Sequence, residues 1–457
     1  MAEDRPAKPR HRQRDRQQTF ADFAIPGPVV ELLAAEGVTK PFPIQEKTLP
    51  DALAGRDILG RGRTGSGKTL GFVLPLVTRL SATRTKTKAK SPRAVILAPT
   101  RELANQIHAT LEPIAAEVGL RSTTVYGGVS AGAQISALRR GVDIVVACPG
   151  RLLDHHRSGH LSFENVEITV IDEADHMADL GFLPDVRTIL DAIPRGGQTM
   201  LFSATLDRDV NVIVKRYLSE PLTFDVDPEN GDPHADIEHH VLRINSGDRV
   251  AVIAELAKPG GRTVVFTRTR HGATKLAEQL TKAGIPAVDL HGMLSQAARA
   301  RNLDKFSNGR STTLVATDVA ARGIHVDDVG LVIHADPPAE HKAYLHRSGR
   351  TARAGAKGTV VTLVTGAQVR GVRQMTSKAK IKPTESHVKP GHELLGSLAA
   401  EPIERTYQKP KAEPEKPTRR SRDGWARPKS NKSYRKPGAN RRRRPTSDRA
   451  RTAAQAS

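Results

Sequence analysis

The sequence predicts an α/β protein with two domains of similar kind, each a parallel sheet flanked by helices, and a basic tail at either end. Three observations predict this. Short β-rich runs alternate with helical stretches, the alternation starts afresh after residue 235, and the positive charge collects at the two ends of the chain.

Residues 1–16 hold six Lys/Arg against three acids. The opening stretch MAEDRPAKPRHRQRDRQ has no apolar run behind it, so no secretory signal is expected. A first domain is expected over 17–228. Its strand-like runs include AVILAPT (94–100), DIVVACPG (143–150) and ITVIDEAD (168–175). Between them, Glu102–Glu117 has apolar residues at roughly helical spacing, the mark of βαβ units. Residues 229–235 are rich in turn formers and read as a linker. A second domain is expected over 236–380, with RTVVFTRT, PAVDLHG, TTLVATDVA, GLVIHAD and GTVVTLV as its strands. Residues 381–457 read as a largely disordered basic tail. Its last part, 405–457, holds eighteen Lys/Arg against four acids and almost no aliphatic residues, so it cannot offset its ordering entropy by burial. The run Arg441–Arg444, with Trp425 and Tyr434 upstream, suits a polyanion.

Composition excludes several classes. No apolar run approaches the roughly 20 residues of a membrane helix. Cys148 is the single cysteine, which forbids a disulfide within the chain and argues against a cysteine-held zinc. These features lead to the expectation of a cytoplasmic protein. The histidine pairs His155-His156 and His239-His240 lack ligand spacing with other residues and are expected at the surface.

Gly62-Arg63-Thr64-Gly65-Ser66-Gly67-Lys68-Thr69 fits the pattern G-x-x-x-x-G-K-[ST]. It follows the strand-like run Asp57–Gly60 and opens a helix-like run, the context a phosphate loop requires. Its glycines turn backbone N–H groups toward phosphate oxygens, and the helix N-terminus adds partial positive charge. Thr64, Gly65, Ser66 and Gly67 are thus candidate nucleotide contacts. Lys68 is expected at the outer phosphates and Thr69 at Mg²⁺. Three acids in four residues, Asp172, Glu173 and Asp175, end an apolar run in a chain of formal net charge +22. A phosphate-loop lysine and a bound cation explain such a cluster. Asp172 is then the Mg²⁺ partner, and Glu173 is left to orient and deprotonate an attacking water.

On these residues the chain resembles the DEAD-box ATP-dependent RNA helicases, of the bacterial type with a basic C-terminal tail. The acids read Asp172-Glu173-Ala174-Asp175. The likeness extends over about residues 17–380, with the motifs in the family's order. Phe20, Gly37 and Pro43-Ile44-Gln45 resemble the adenine-reading motif. Pro99–Ala104, Gly127-Gly128, Pro149-Gly150-Arg151 and Ser203-Ala204-Thr205 follow. Ala316–Gly323 and His346–Arg353 complete the set.

The resemblance implies two tandem RecA-like domains and an RNA-stimulated ATPase that locally unwinds short RNA duplexes or remodels RNA–protein complexes. It implies ATP and Mg²⁺ as cofactors and RNA, read without sequence preference, as partner, with ribosomal or RNA-decay assemblies as candidate settings. Phe20 and Gln45 would contact ATP. Arg350 and Arg353, three apart and so expected on one helix face, would act as arginine fingers. His346 would couple the two domains, together with Ser203, Thr205 and Asp318. Arg101, Gly128, Arg151 and Thr317 would grip the RNA backbone, which positions a strand without reading it. Four positions depart from the family's usual residues: Phe42 for Thr or Ser, Cys148 for Thr, His325 for Asp and Ala352 for Gly. A translocating DNA helicase and an ATP-gated RNA clamp remain as alternatives at this level.

The charge pattern yields a first test. Removing residues 405–457 should weaken RNA binding but leave saturated ATP turnover nearly unchanged. Each neutralised phosphate contributes a slope of about −0.7 in log affinity against log salt for a single strand. The truncated chain should therefore show a shallower salt titration; identical slopes would mean that the tail does not touch nucleic acid.

Overall fold

The computed structural model describes residues 18–62, 66–83, 85–225, 237–258, 261–321, 329–352 and 357–401. Two seven-stranded parallel sheets form two lobes. The first contains β1 (Ile58–Arg61), β2 (Ala94–Leu97), β3 (Ser122–Val125), β4 (Ile144–Ala147), β5 (Ile168–Asp172), β6 (Gln198–Ser203) and β7 (Leu222–Asp225). Their spatial order is β3-β4-β2-β5-β6-β1-β7. The second contains β8 (Ile237–Arg243), β9 (Arg262–Thr267), β10 (Ala287–Leu290), β11 (Thr313–Thr317), β12 (Val329–His334), β13 (Gly358–Val364) and β14 (Thr384–His387). Their order is β10-β11-β9-β12-β13-β8-β14. Lowering each of these numbers by seven reproduces the first order, so one winding occurs twice.

Helices cover both faces, which is why the central strands are apolar throughout. Ala94 and Ile96 enter one core cluster of the first lobe, while Val95 and Leu97 enter the other. In the second lobe Val264 and Phe266 go to one face and Val265 to the other. The expected two-domain α/β architecture is present. Most of the motifs follow the carboxyl end of a strand, where open parallel sheets hold ligands; Phe20 and Gln45 lie before β1, and His346 and Arg350 lie in and after the helix His341–Ser348. The phosphate loop follows β1, Arg101 follows β2, Gly127-Gly128 follows β3 and Arg151 follows β4. Asp172 ends β5, Ser203 ends β6 and Thr317 ends β11.

The reading of 381–457 as a largely disordered tail is corrected for residues 381–401. β14 pairs with β8 from Thr384 to His387. Val388, Leu395, Leu398 and Ala400 are buried in the second lobe's core. A Cβ added to Gly261 or Gly330 would meet the Ala400 Cβ at 2.4 or 2.9 Å, so this segment is packed against the starts of β9 and β12. The histidine pairs are likewise not a simple surface feature. His155 is buried and pairs through Nε2 with Gln134 Oε1 at 3.0 Å, and burial holds its pKa below the ordinary value. His239 Nδ1 meets the Tyr344 hydroxyl at 2.9 Å. Residues 1–17, the expected linker 229–235, His325 and the chain beyond 401 lie outside the described residues. Among the described residues no helix is long and apolar enough to cross a membrane.

The packed segment sets a test. A chain ending at residue 401 should keep the second lobe's stability, and one ending at 380 should not. Losing three buried Val and Leu side chains costs on the order of 5 kcal/mol at about 1.5–3 kcal/mol each. Urea unfolding of the two truncations checks this; equal midpoints would mean that β14 adds nothing.

Candidate active site

The three acids that end β5 have three different partners. Asp172 is 3% exposed. Burial pushes its carboxyl well above the usual carboxylate range; Lys68 opposes the rise, and Glu173 and Asp175 add to it. The Glu173 N–H donates to Asp172 Oδ1 at 3.0 Å. Glu173 itself has a left-handed backbone, φ +52°, a strained state for a side chain of this size. It directs Oε2 to His176 Nδ1 at 2.9 Å. Asp175 is committed to the loop after β6. Its Oδ2 accepts the Thr205 N–H at 2.9 Å and the Thr205 hydroxyl at 3.0 Å. Its own N–H donates to Ser203 Oγ at 3.2 Å, and that hydroxyl donates to the Thr205 carbonyl at 2.7 Å. Ser203 and Thr205 are thereby tied to the acid cluster.

The phosphate loop meets these acids across β6. Thr64 and Gly65 lie outside the described residues. Lys68, buried at the start of helix Lys68–Ala82, donates from Nζ to the Gly62 carbonyl at 2.8 Å. Gly67 has φ +87°, and a Cβ there would meet Gln45 Nε2 at 2.6 Å and the Phe42 ring at 2.9 Å. Only glycine serves at this position. Gln45 accepts the Phe42 N–H at 2.9 Å and donates to the Gly67 carbonyl at 2.7 Å, so it braces the loop. Among the described residues Ser66 Oγ is buried without a hydrogen-bond partner. An unpartnered hydroxyl beside a helix N-terminus suits an anion. Thr69, half-buried, follows the lysine. Phe20 is placed otherwise than expected: it is 1% exposed and belongs to the core of the first lobe.

The second lobe completes the cleft. Helix His341–Ser348 ends at Gly349, and Arg350 follows in the turn, with Nε donating to the His346 carbonyl at 3.4 Å. The expectation that Arg350 shares a helix face with Arg353 is therefore corrected, because the helix stops first; Arg353 lies outside the described residues. His346 and Arg350 line one pocket with Lys68, Glu173, Asp175, His176 and Ala204. His346 Nδ1 also stands 3.5 Å from Asp179 Oδ2 of the first lobe. The site is thus composite.

Comparison with known proteins agrees with this geometry. The family model described as DEAD/DEAH box helicase matches residues 42–213, and the helicase conserved C-terminal domain matches 247–355. The DEAD-box ATP-dependent RNA helicase 20 of Arabidopsis thaliana is 38% identical over 363 residues, covering 79% of this chain and 72% of that protein. This chain belongs to the DEAD-box ATP-dependent RNA helicase family. The chloroplastic DEAD-box ATP-dependent RNA helicase 3B of Zea mays is 40% identical over 363 residues, 78% of this chain and 48% of that one. The chain thus spans about half the length of such curated relatives. The fold matches S. cerevisiae Dbp5 bound to RNA and ADP BeF3, with TM-score 0.71, 27% identity, and 83% and 98% of the two chains covered. It also matches the DEAD-box helicase Mss116 bound to ssRNA and UDP-BeF, with TM-score 0.72, 27% identity, and 82% and 80% covered.

Beside the cleft, this DEAD-box protein gathers three of its four expected RNA contacts. Gly128 has φ +74°, and a Cβ there would fall 2.1 Å from Arg101 Nη1. A Cβ on Gly127 would lie 4.0 Å from both Arg101 Nη2 and Arg151 Nη2. Thr317 stands apart, buried at the end of β11 in the second lobe. Cys148 begins the helix that carries Arg151, and burial pushes its thiol up to about 12, so it stays neutral. Asp318, expected to couple the lobes, is held inside the second lobe by Arg347, whose Nη2 donates to Asp318 Oδ2 at 2.7 Å.

Sequence reasoning missed Arg347, and it missed a pair between the lobes. Arg299 Nε donates to Glu102 Oε1 at 2.8 Å, with both side chains mostly buried. Gln296 Nε2 reaches the same oxygen at 3.1 Å, and Arg101 Nη1 reaches Gln296 Oε1 at 3.4 Å. Gln296 and Arg299 lie three apart on helix Gln296–Ser307, and that spacing was the one available signal.

Removing one member of a buried ion pair costs about 3–5 kcal/mol if the other charge stays buried. Two lobes can avoid that cost by parting. Glu102→Ala should therefore lengthen the distance between dyes on the two lobes, read by energy transfer, and leave the unfolding of each lobe unchanged. An unchanged distance would show that the pair does not hold the lobes together.

Proposed function

We propose that this protein is an RNA-stimulated ATPase that separates short RNA duplexes or remodels RNA–protein complexes. One observation carries the proposal: Arg350 and His346 of the second lobe line the same pocket as Lys68 and Glu173 of the first. Hydrolysis then depends on how the lobes are placed, and RNA can control that placement. The RNA-bound, nucleotide-bound relatives of like fold support the same reading.

In this mechanism Lys68 and the loop N–H groups hold the phosphates, and Gln45 faces the base. Glu173 orients the attacking water and takes its proton, steadied by His176. Arg350 meets the charge that develops on the transferred phosphoryl group. Among the described residues no three metal-binding side chains cluster. Mg²⁺ would need only one or two carboxylates, with substrate phosphates and water as its other ligands. Asp172 and Thr69 would hold it, and it would neutralise phosphate charge when bound. Arg101, Gly128, Arg151 and Thr317 contact the RNA backbone. ATP and RNA both favour the closed arrangement, so their affinities are coupled. Asp175, tied to Ser203 and Thr205 beside the pocket, links the acids to the lobe boundary.

A cytoplasmic location is part of the proposal and rests on the lone cysteine; curated relatives carry chloroplastic and mitochondrial names. Crosslinking in cells followed by RNA sequencing tests ribosomal and RNA-decay particles as its settings.

Glu173→Gln should bind ATP and RNA nearly normally while turnover falls at least about 100-fold, since general-base assistance contributes about 10²–10⁴. Near-normal turnover would remove Glu173 from the mechanism. Arg350→Ala should lower kcat by at least an order of magnitude, an arginine finger being worth up to about 10³–10⁵, and change ATP binding less. Weaker binding with an intact kcat would make Arg350 a structural residue. Strand displacement of a short RNA duplex separates unwinding from clamping, and comparing RNA with DNA as stimulant tests the sugar preference.

A further inference from the structure

Phe42 is the one aromatic among the described residues that leaves a large part of its surface open, 49% of it. It sits beside the candidate nucleotide site. Its ring lies against Gly67, 2.9 Å from where a Cβ would stand, and its N–H donates to Gln45 Oε1 at 2.9 Å. Gln45 in turn donates to the Gly67 carbonyl at 2.7 Å. The residue thus touches both the phosphate loop and the side chain expected to read the base edge. Helices prefer an N-cap side chain that accepts a backbone N–H. Phe42 fills the N-cap position of helix Pro43–Leu53 and cannot do this. A half-exposed ring at a cap position serves neither the helix nor the core. Meanwhile Phe20, the aromatic expected to meet the nucleotide, is closed off in the core at 1% exposure.

We propose that Phe42 is the base-stacking platform of the nucleotide site. A nucleotide whose phosphates lie on the loop next to Gly67 brings its base to the Gln45 side, where the exposed part of the Phe42 ring lies. A π-face accepts any base. Stacking therefore adds affinity without choosing among bases, and discrimination is left to the hydrogen bonds of Gln45. This inference rests on the proposed nucleotide-binding function and adds a residue to it.

The test is equilibrium binding of ADP, GDP and inorganic tripolyphosphate to the full chain and to the Phe42→Thr and Phe42→Tyr variants. Phe42→Thr should weaken ADP and GDP by a similar factor of about 5 or more, in line with aromatic–base stacking. Tripolyphosphate, which has no base, should bind unchanged, and Phe42→Tyr should behave like the parent chain. Equal weakening of all three ligands by Phe42→Thr would make the ring a brace for the loop and overturn the proposal. Unchanged ADP and GDP binding would overturn it too. Failure of the parent chain to bind any nucleotide would instead sink the functional reading on which the proposal stands.

Discussion

A carboxylate buried at the end of a parallel strand is costly unless cations and donors surround it, and Asp172 is in that position. The surroundings of the site follow from meeting this cost. Lys68 must lie near enough to oppose the rise in the Asp172 pKa. Gly67, with its positive φ, leads directly into the helix that begins with Lys68, and Lys68 reaches back to the Gly62 carbonyl. Glu173 takes a strained backbone beside it, and Asp175 gives Oδ2 to Thr205 and Oδ1 to the His176 N–H. The second lobe then brings Arg350 to the same pocket. Arginine density in the tails does not enter this account, because the cations that matter come from motifs near the strand ends.

Much of this was legible in the chain. The loop pattern and the acid cluster are local and depend on residue type, so spacing alone exposes them. Strands such as β2, β4, β5 and β9 are buried on both faces and read as unbroken apolar runs. Other features had no local signature. β14 reads Thr384-Glu385-Ser386-His387, with no apolar pattern, because it is an edge strand with much of its surface exposed. The Glu102–Arg299 pair joins residues 197 positions apart, and no periodicity connects them. The helix that was expected to carry Arg350 stops at Ser348, since Gly349 follows it. Phe20 looked like a ligand contact by resemblance, while its burial depends on how the first helices fold over the sheet. The misplaced histidines have the same cause: His155 is polar in sequence but finds Gln134 in the interior.

The repeated winding gives each side of the composite site a scaffold of its own. Each lobe has its own two-faced core, so neither depends on the other for stability. Among the described residues, polar pairs join them, including Glu102 with Arg299, Asp179 with His346 and Asp207 with Lys342. Polar pairs can be exchanged for water at modest cost, as the proposed opening and closing of the lobes requires.

The duplication is faithful in the sheet and not in the loops. At the place where β1 is followed by the phosphate loop, β8 is followed by Ser246-Gly247-Asp248 and the helix Arg249–Ala257. There the helix is preceded by Asp248 and begins with Arg249, which pairs with Asp336 at 3.0 Å, whereas the first lobe's helix is preceded by Gly67 and begins with Lys68. Two equivalent scaffolds therefore carry different helix entrances, a left-handed glycine in one and an acid in the other.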